Sequence, residues 1–198
     1  MLNLLKQEAG LNQVSQMTKM MADIKTSKEL VTAFRQSRAG LPESGVDFTA
    51  EVLQSGVWTS KQIAVELPRE LQVCQADFES FYETQHKRRV LKWLYNYGSV
   101  EVHTTHTPKR FQLITNVAQA AILCHFNEGD VLTVGEIIKK THLKEQNLRQ
   151  ALFALCHPKK GQVLKKQNMK KVSFEDMDEA ITLNYNIKSQ NIRLSLVP

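Results

Sequence analysis

The alternation of apolar and polar positions divides the chain into helical and extended stretches. Met17, Met20, Met21 and Ile24 recur at i, i+3, i+4 and i+7, one stripe of a helix. Ser27 has N-cap chemistry and Glu29 follows it, which predicts a second short helix through Leu30 and Phe34. Two such short helices suit the end of a larger bundle. Gly40, Pro42 and Gly45 mark a linker over residues 38–45. Beyond it, Val46, Phe48, Ala50 and Val52 alternate with Asp47, Thr49 and Glu51, the period of a strand. Ile63, Val65 and Leu67 predict a second strand, stopped by Pro68. That proline suits the first turn of a helix, whose apolar stripe is Leu71, Cys74, Phe78, Phe81 and Tyr82. Leu91, Trp93 and Tyr95 then share one face of a strand. Val100 and Val102 continue the pattern beyond Gly98, which predicts a hairpin, and Phe111 to Ile114 predicts a third strand.

The second half changes period. Val117, Ala120, Ala121 and Cys124 carry a helix that stops at Asn127-Glu128-Gly129-Asp130. Thr133 and Glu136 have the spacing of a capping box, opening a helix through Ile137 and Ile138. Leu148, Ala151, Leu152 and Leu155 carry a third helix, and Gly161 separates it from a strand at Gln162–Lys165. Three short helices followed by a strand pair is the order of a winged helix-turn-helix. Ile181, Leu183, Tyr185 and Ile187 alternate again, and Ile192 to Leu196 forms a last strand. The expected class is α+β. Bundle helices occupy residues 1–40, a central mixed or antiparallel sheet with helices 46–115 plus 176–198, and a winged-helix-like subdomain 116–172.

Composition narrows the function classes. At 198 residues, 42% hydrophobic and 23% charged, the chain has ordinary globular proportions. No apolar run reaches the roughly 20 residues of a membrane span, and the N-terminus lacks the pattern of a signal peptide. Cys74, Cys124 and Cys156 are far apart and read as reduced thiols, which points to the cytoplasm, the nucleus or both. A formal net charge of +6 favours an acidic partner without naming it.

Catalytic chemistry is not advertised. His103 and His106 lack a third ligand nearby, so no metal is expected there. His125 and His157 each follow a cysteine, but adjacent helical residues point apart and make no nucleophile pair by proximity. The glycines are scattered through turns, and no phosphate loop or other cofactor motif is present. The cations are more informative. Lys87, Arg88, Arg89 and Lys92 cluster at a helix-to-strand corner, and Lys159, Lys160, Lys165, Lys166, Lys170 and Lys171 crowd the expected wing. The expected recognition helix offers Lys144, Gln146, Asn147, Arg149 and Gln150, so a nucleic-acid-binding winged helix stands as an alternative.

Four motifs in order bring a family into view. The segment GLNQVSQMTKMMADIKTSKEL (10–30) resembles a stretch of cullins, with Gly10, Ser15, Met20, Asp23, Ser27, Lys28 and Leu30 in register. VDFTAEVLQSGVWT (46–59) is similar to the following cullin motif, with Thr59 in place of its usual proline. Pro68, Phe78, Phe81, Tyr82, His86, Arg89, Leu91 and Trp93 keep the register of the next. Residues 118–137 and 148–164 resemble the later helices and wing.

The resemblance implies the C-terminal region of a cullin, the non-catalytic scaffold of a RING-type ubiquitin ligase. Its sheet would accept a strand from a RING-box protein by β-augmentation, and the RING partner would bring a ubiquitin-charged E2. Ile63, Val65, Leu67, Leu91, Trp93, Tyr95, Val100 and Val102 are the expected sheet contacts. Lys87, Arg88, Arg89 and Lys92 are the expected contacts to acidic E2 segments, and neither metal nor cofactor is implied. Membrane and nucleic acid are not expected partners, and substrate adaptors would need N-terminal cullin repeats that the sequence lacks. The winged-helix domain whose lysine receives a ubiquitin-like protein is also missing, which suggests an excised fragment or a short cullin-like protein. One departure is local: the family's His-Ser-Gly-Arg corner reads His86-Lys87-Arg88-Arg89, two long cations replacing a small pair.

Overall fold

A computed structural model describes residues 11–37, 45–56, 58, 62–167 and 174–197. The chain divides into two compact units, one of Met1–Ser60 and Arg69–Leu91, the other of Lys61–Pro68 and Lys92–Pro198.

In the first unit, helix α1 runs unbroken over Leu11–Ser37. The two short helices expected there are one, because Ser27 does not cap. Its buried hydroxyl donates to the Val52 carbonyl (3.1 Å) and accepts from the Val52 N–H (2.8 Å). One turn earlier, buried Asp23 accepts from the Gln54 N–H (3.0 Å) and from Trp58 Nε1 (3.1 Å). Residues 46–52 are therefore extended and alternate in exposure as expected, yet belong to neither sheet among the described residues. Side chains of α1 hold that backbone where a neighbouring strand was expected to. Helix α2, Arg69–Gln85, buries Cys74, Phe78 and Tyr82. Phe34 meets Phe78 edge-on at 5.2 Å between centroids, and Phe48 and Phe81 complete the aromatic core.

The second unit holds two three-stranded sheets. Strand β1 (Ser99–His103) pairs antiparallel with β2 (Gln112–Asn116), and β2 pairs parallel with β6 (Arg193–Ser195). The second sheet has the order β3–β5–β4, all antiparallel, from Val131–Thr133, Ala180–Leu183 and Leu164–Lys166. Segment 176–198 thus divides between the two sheets. Helices α3 (Val117–His125), α4 (Val134–Thr141) and α5 (Glu145–Cys156) give the second sheet winged-helix order. Asn116 with Gln119, and Thr133 with Glu136, close capping boxes on α3 and α4. One core serves both sheets: Ile122, Ile137, Leu148 and Leu155 lie in the same cluster as Phe111, Leu113, Leu194 and Leu196. The molecule is α+β.

Two strand expectations are corrected. The hairpin around Gly98 does not form. Tyr95–Tyr97 make a turn closed by Tyr97 N–H to Leu94 C=O (3.1 Å) and Gly98 N–H to Tyr95 C=O (3.2 Å). That turn leads residues 91–94 away, and β1 finds its partner in β2. Gly98 passes so close to α3 that a Cβ there would lie 2.5 Å from Val117 Cγ2. The alternation at Ile181–Ile187 outlasts its ladder, because Asn184 turns inward. It donates from Nδ2 to the Gln162 carbonyl (2.7 Å) and accepts the Asn186 N–H (3.0 Å).

Candidate functional site

A sheet offers a backbone only where an edge is free. Thr104 donates to the Phe111 carbonyl at 3.0 Å, which fixes the phase of the β1–β2 ladder. In an antiparallel pair the bonded positions recur every second residue, so Val100 and Val102 aim their backbone groups at β2. The N–H and C=O groups of Ser99, Glu101 and His103 face the other way, along an edge with no neighbouring strand among the described residues. The inward side chains are apolar: Val100 and Val102 are half-buried, and Val102 packs on the core. The opposite face carries Glu101, 2.8 Å from His103 Nε2 and 3.7 Å from Arg193 Nη2.

The other edge strand is tied down where it ends. After α5 a 3₁₀ turn, Pro158–Lys160, stands against β6 and its continuation. Lys160 Nζ donates to the carbonyls of Leu196 (3.1 Å) and Val197 (2.9 Å), and Gln119 Nε2 to that of Leu196 (3.0 Å). The approach is so close that a Cβ on Gly161 would fall 2.8 Å from Leu194 Cδ1. Gly161 also adopts φ +92°, a left-handed conformation that favours glycine.

Residues 62–67 lie in the same unit as an extended segment outside both sheets. Ile63, Val65 and Leu67 are half-buried and alternate with exposed Gln62, Ala64 and Glu66, and Ile63 and Val65 pack on the core beside Val102. The Glu66 N–H donates to the Thr141 carbonyl (2.7 Å), pinning the segment to the end of α4. The Gln62 side chain reaches the Trp93 carbonyl at 3.5 Å. Trp93 and Tyr95 are half-buried; Leu91, also half-buried, belongs to the first unit. The structure therefore gathers Ile63, Val65 and Val102, and it does not place Leu91, Trp93 and Tyr95 on one strand.

The cationic corner is a closed turn, with the Arg89 N–H donating to the His86 carbonyl at 3.1 Å. Lys87 and Arg88 form it without left-handed backbone, since His142 and Gln162 are the non-glycine residues with positive φ among those described. Long side chains fit where the family carries a small pair. Lys87, Arg88, Arg89 and Lys92 are all exposed, and Val90 is 95% exposed.

Two of the cations expected to read nucleic acid are engaged elsewhere. Arg149 pairs with Glu145 and lies 3.7 Å from Glu175. Lys166 is buried, 2.8 Å from Glu179 and 4.9 Å above the Phe174 ring. Lys170 and Lys171 lie outside the described residues.

The histidines do not converge on a catalytic group. His103 pairs with Glu101, His106 packs edge-on against Tyr185 at 5.5 Å, and His157 accepts the Lys159 N–H. Burial pushes the Cys156 thiol up to about 12, so it stays protonated through neutral pH. Among the described residues no group of three or more His, Cys, Asp or Glu could hold a metal ion, and no helix is long and apolar enough to cross a membrane.

Residues 52–187 match the family described as "Cullin alpha+beta domain". The chain belongs to the cullin family. It is 28% identical over 197 residues to Cullin-1 of Oryza sativa subsp. japonica, covering 98% of this chain and 26% of that protein. Against Cullin-3 of Dictyostelium discoideum the identity is 31%, over 78% of this chain and 20% of the relative. Against Cullin-4A of Mus musculus it is 29%, over 99% and 26%. The chain spans about a quarter of the length of these curated cullins.

Family membership explains residues that periodicity misread. Asp23 and Ser27, four apart on α1, keep the cullin register and clasp Val52, Gln54 and Trp58 to the helix. Their signal was an i, i+4 polar pair on an otherwise apolar stripe, followed at a distance by a tryptophan with an N–H to satisfy.

Proposed function

We propose that this chain is the strand-accepting part of a ubiquitin-ligase scaffold. A RING-box protein lays one strand along β1 and beside the extended segment 62–67, and its RING domain brings a ubiquitin-charged E2 to the complex. The chain orients these partners and performs no covalent step. The observation that carries this reading is the edge of β1, which presents the outward groups of Ser99, Glu101 and His103, while the 3₁₀ turn ties down the continuation of β6 at Leu196 and Val197. Ile63, Val65, Leu67, Trp93, Tyr95, Val100 and Val102 would meet alternate side chains of the incoming strand. Such a complex works in the cytoplasm, the nucleus or both. Mixing the purified chain with a RING-box protein at micromolar concentration is expected to give a co-eluting 1:1 complex on size exclusion. Separate elution would refute the proposal.

Lys87, Arg88 and Arg89 would attract acidic segments of the E2, raising its rate of encounter more than its residence time. Reversing all three to glutamate is expected to lower the association rate with the RING-bound scaffold by about tenfold at low salt. The difference should shrink as salt approaches ~0.15 M, because the contact lies in solvent. Equal association rates for the two proteins at low salt would remove this role.

A further inference from the structure

The 3₁₀ turn beside β6 encloses a cavity of about 220 Å³ with residues 188–195 on its other side. Lys159, Lys160, Lys188 and Arg193 line it with Ser189 and Asn191, and no carboxylate does. Four cations at one concavity repel each other, so the arrangement costs free energy unless counter-charge is supplied.

Two features set this apart from solvated surface lysines. First, its walls are fixed. Lys160 is anchored by the carbonyls of Leu196 and Val197, which hold its ammonium in place without neutralising it. The far wall is tied from behind by Lys109 Nζ, which donates to the carbonyls of Ser189 (3.2 Å) and Gln190 (3.1 Å). Second, the charge is uncommitted. Among the described residues the carboxylate paired with a lining cation is Glu101, 3.7 Å from Arg193 in an exposed pair of little strength.

We propose that this cavity binds a small anion dense in phosphate groups. Lysines act there as point charges, Arg193 offers a planar fork, and the Ser189 and Asn191 side chains add neutral donors. The volume lies below the roughly 300 Å³ at which drug-sized pockets begin, so it takes a phosphate cluster and leaves the rest of the ligand in solvent. Nucleotides and sugar polyphosphates share this chemistry. The site is separate from the β1 edge, and its occupancy does not depend on the scaffold role.

The test is calorimetric titration of the full chain with sodium tripolyphosphate at matched ionic strength. Saturable 1:1 binding is expected, weakened about tenfold or more by Lys159→Ala with Lys188→Ala. Lys25→Ala with Lys28→Ala, two exposed lysines on α1, should leave it unchanged. ATP and a sugar bisphosphate then compete, and the stronger competitor names the source. The proposal is overturned by absence of saturation, or by equal weakening in both double variants, which would mean diffuse charge. It is also overturned if an oligoglutamate peptide of matched charge binds more tightly than tripolyphosphate through the same two lysines, which would make the cavity a peptide dock. Both lysines of the first pair are exposed, so unchanged thermal melts are expected to show that the fold is intact.

Discussion

Proline at position 101 will abolish capture of a RING-box strand while leaving the sheet folded. The Glu101 N–H points to the open side of β1, so its removal takes no bond from the β1–β2 ladder. An incoming strand would lose a ladder donor and meet a pyrrolidine ring where it must approach closely. The expected loss of affinity is at least about a hundredfold, more than one hydrogen bond alone supplies, because the ring also blocks neighbouring contacts. Glu101→Ala separates the backbone effect from loss of the Glu101 pairs with His103 and Arg193, and should bind within a few-fold of the parent. Val102→Pro is the opposite control: it removes a bond internal to the sheet and should destabilise the chain itself. Near-parental affinity in a well-folded Glu101→Pro protein would show that the strand docks elsewhere.

The largest effect on stability is expected at Glu179. Its carboxylate lies 2.8 Å from Lys166 Nζ, with both side chains less than a tenth exposed. Glu179→Ala leaves the ammonium buried beside the Phe174 ring without its counter-charge, at a cost of about 3–5 kcal/mol. Against a total of roughly 5–15 kcal/mol for a domain, that is enough to unfold part of the population at physiological temperature. Replacing both partners, Lys166→Met with Glu179→Leu, should recover most of the loss, since desolvating two charges already offsets much of their attraction. Thermal melts of the three proteins decide the matter. If the single variant melts like the parent, the pair is wet and contributes little.

Most helices are legible in the sequence through a capping box or an apolar stripe. Thr133 and Glu136 announce α4, and the stripe through Phe78 and Tyr82 announces α2. Strand-like stretches were legible as extended chain with one apolar side, and Val100, Val102, Ile63 and Val65 do turn inward. Period two identifies a face and says nothing of the neighbour. Hence Leu91–Tyr95 was matched to β1, although β2 supplies the partner. Ser27 misled for a related reason: a hydroxyl that caps a helix looks the same in sequence as one spent on a backbone 25 residues away. The candidate edge was visible as apolar alternation, but its openness was not. That depends on which strands pair and where the 3₁₀ turn lies, a long-range fact carried in part by Lys160, Gly161 and Leu194.

The turn beside β6 also bears on how this chain can assemble with itself. A sheet with two bare edges can recruit copies head to tail without end, each addition exposing a fresh template. Here the chain's own turn ties down the continuation of the second edge strand at Leu196 and Val197, which favours β1-to-β1 pairing through this sheet. Such a contact is isologous and uses up both β1 edges. Through β1 alone, a chain without a partner pairs once and stops.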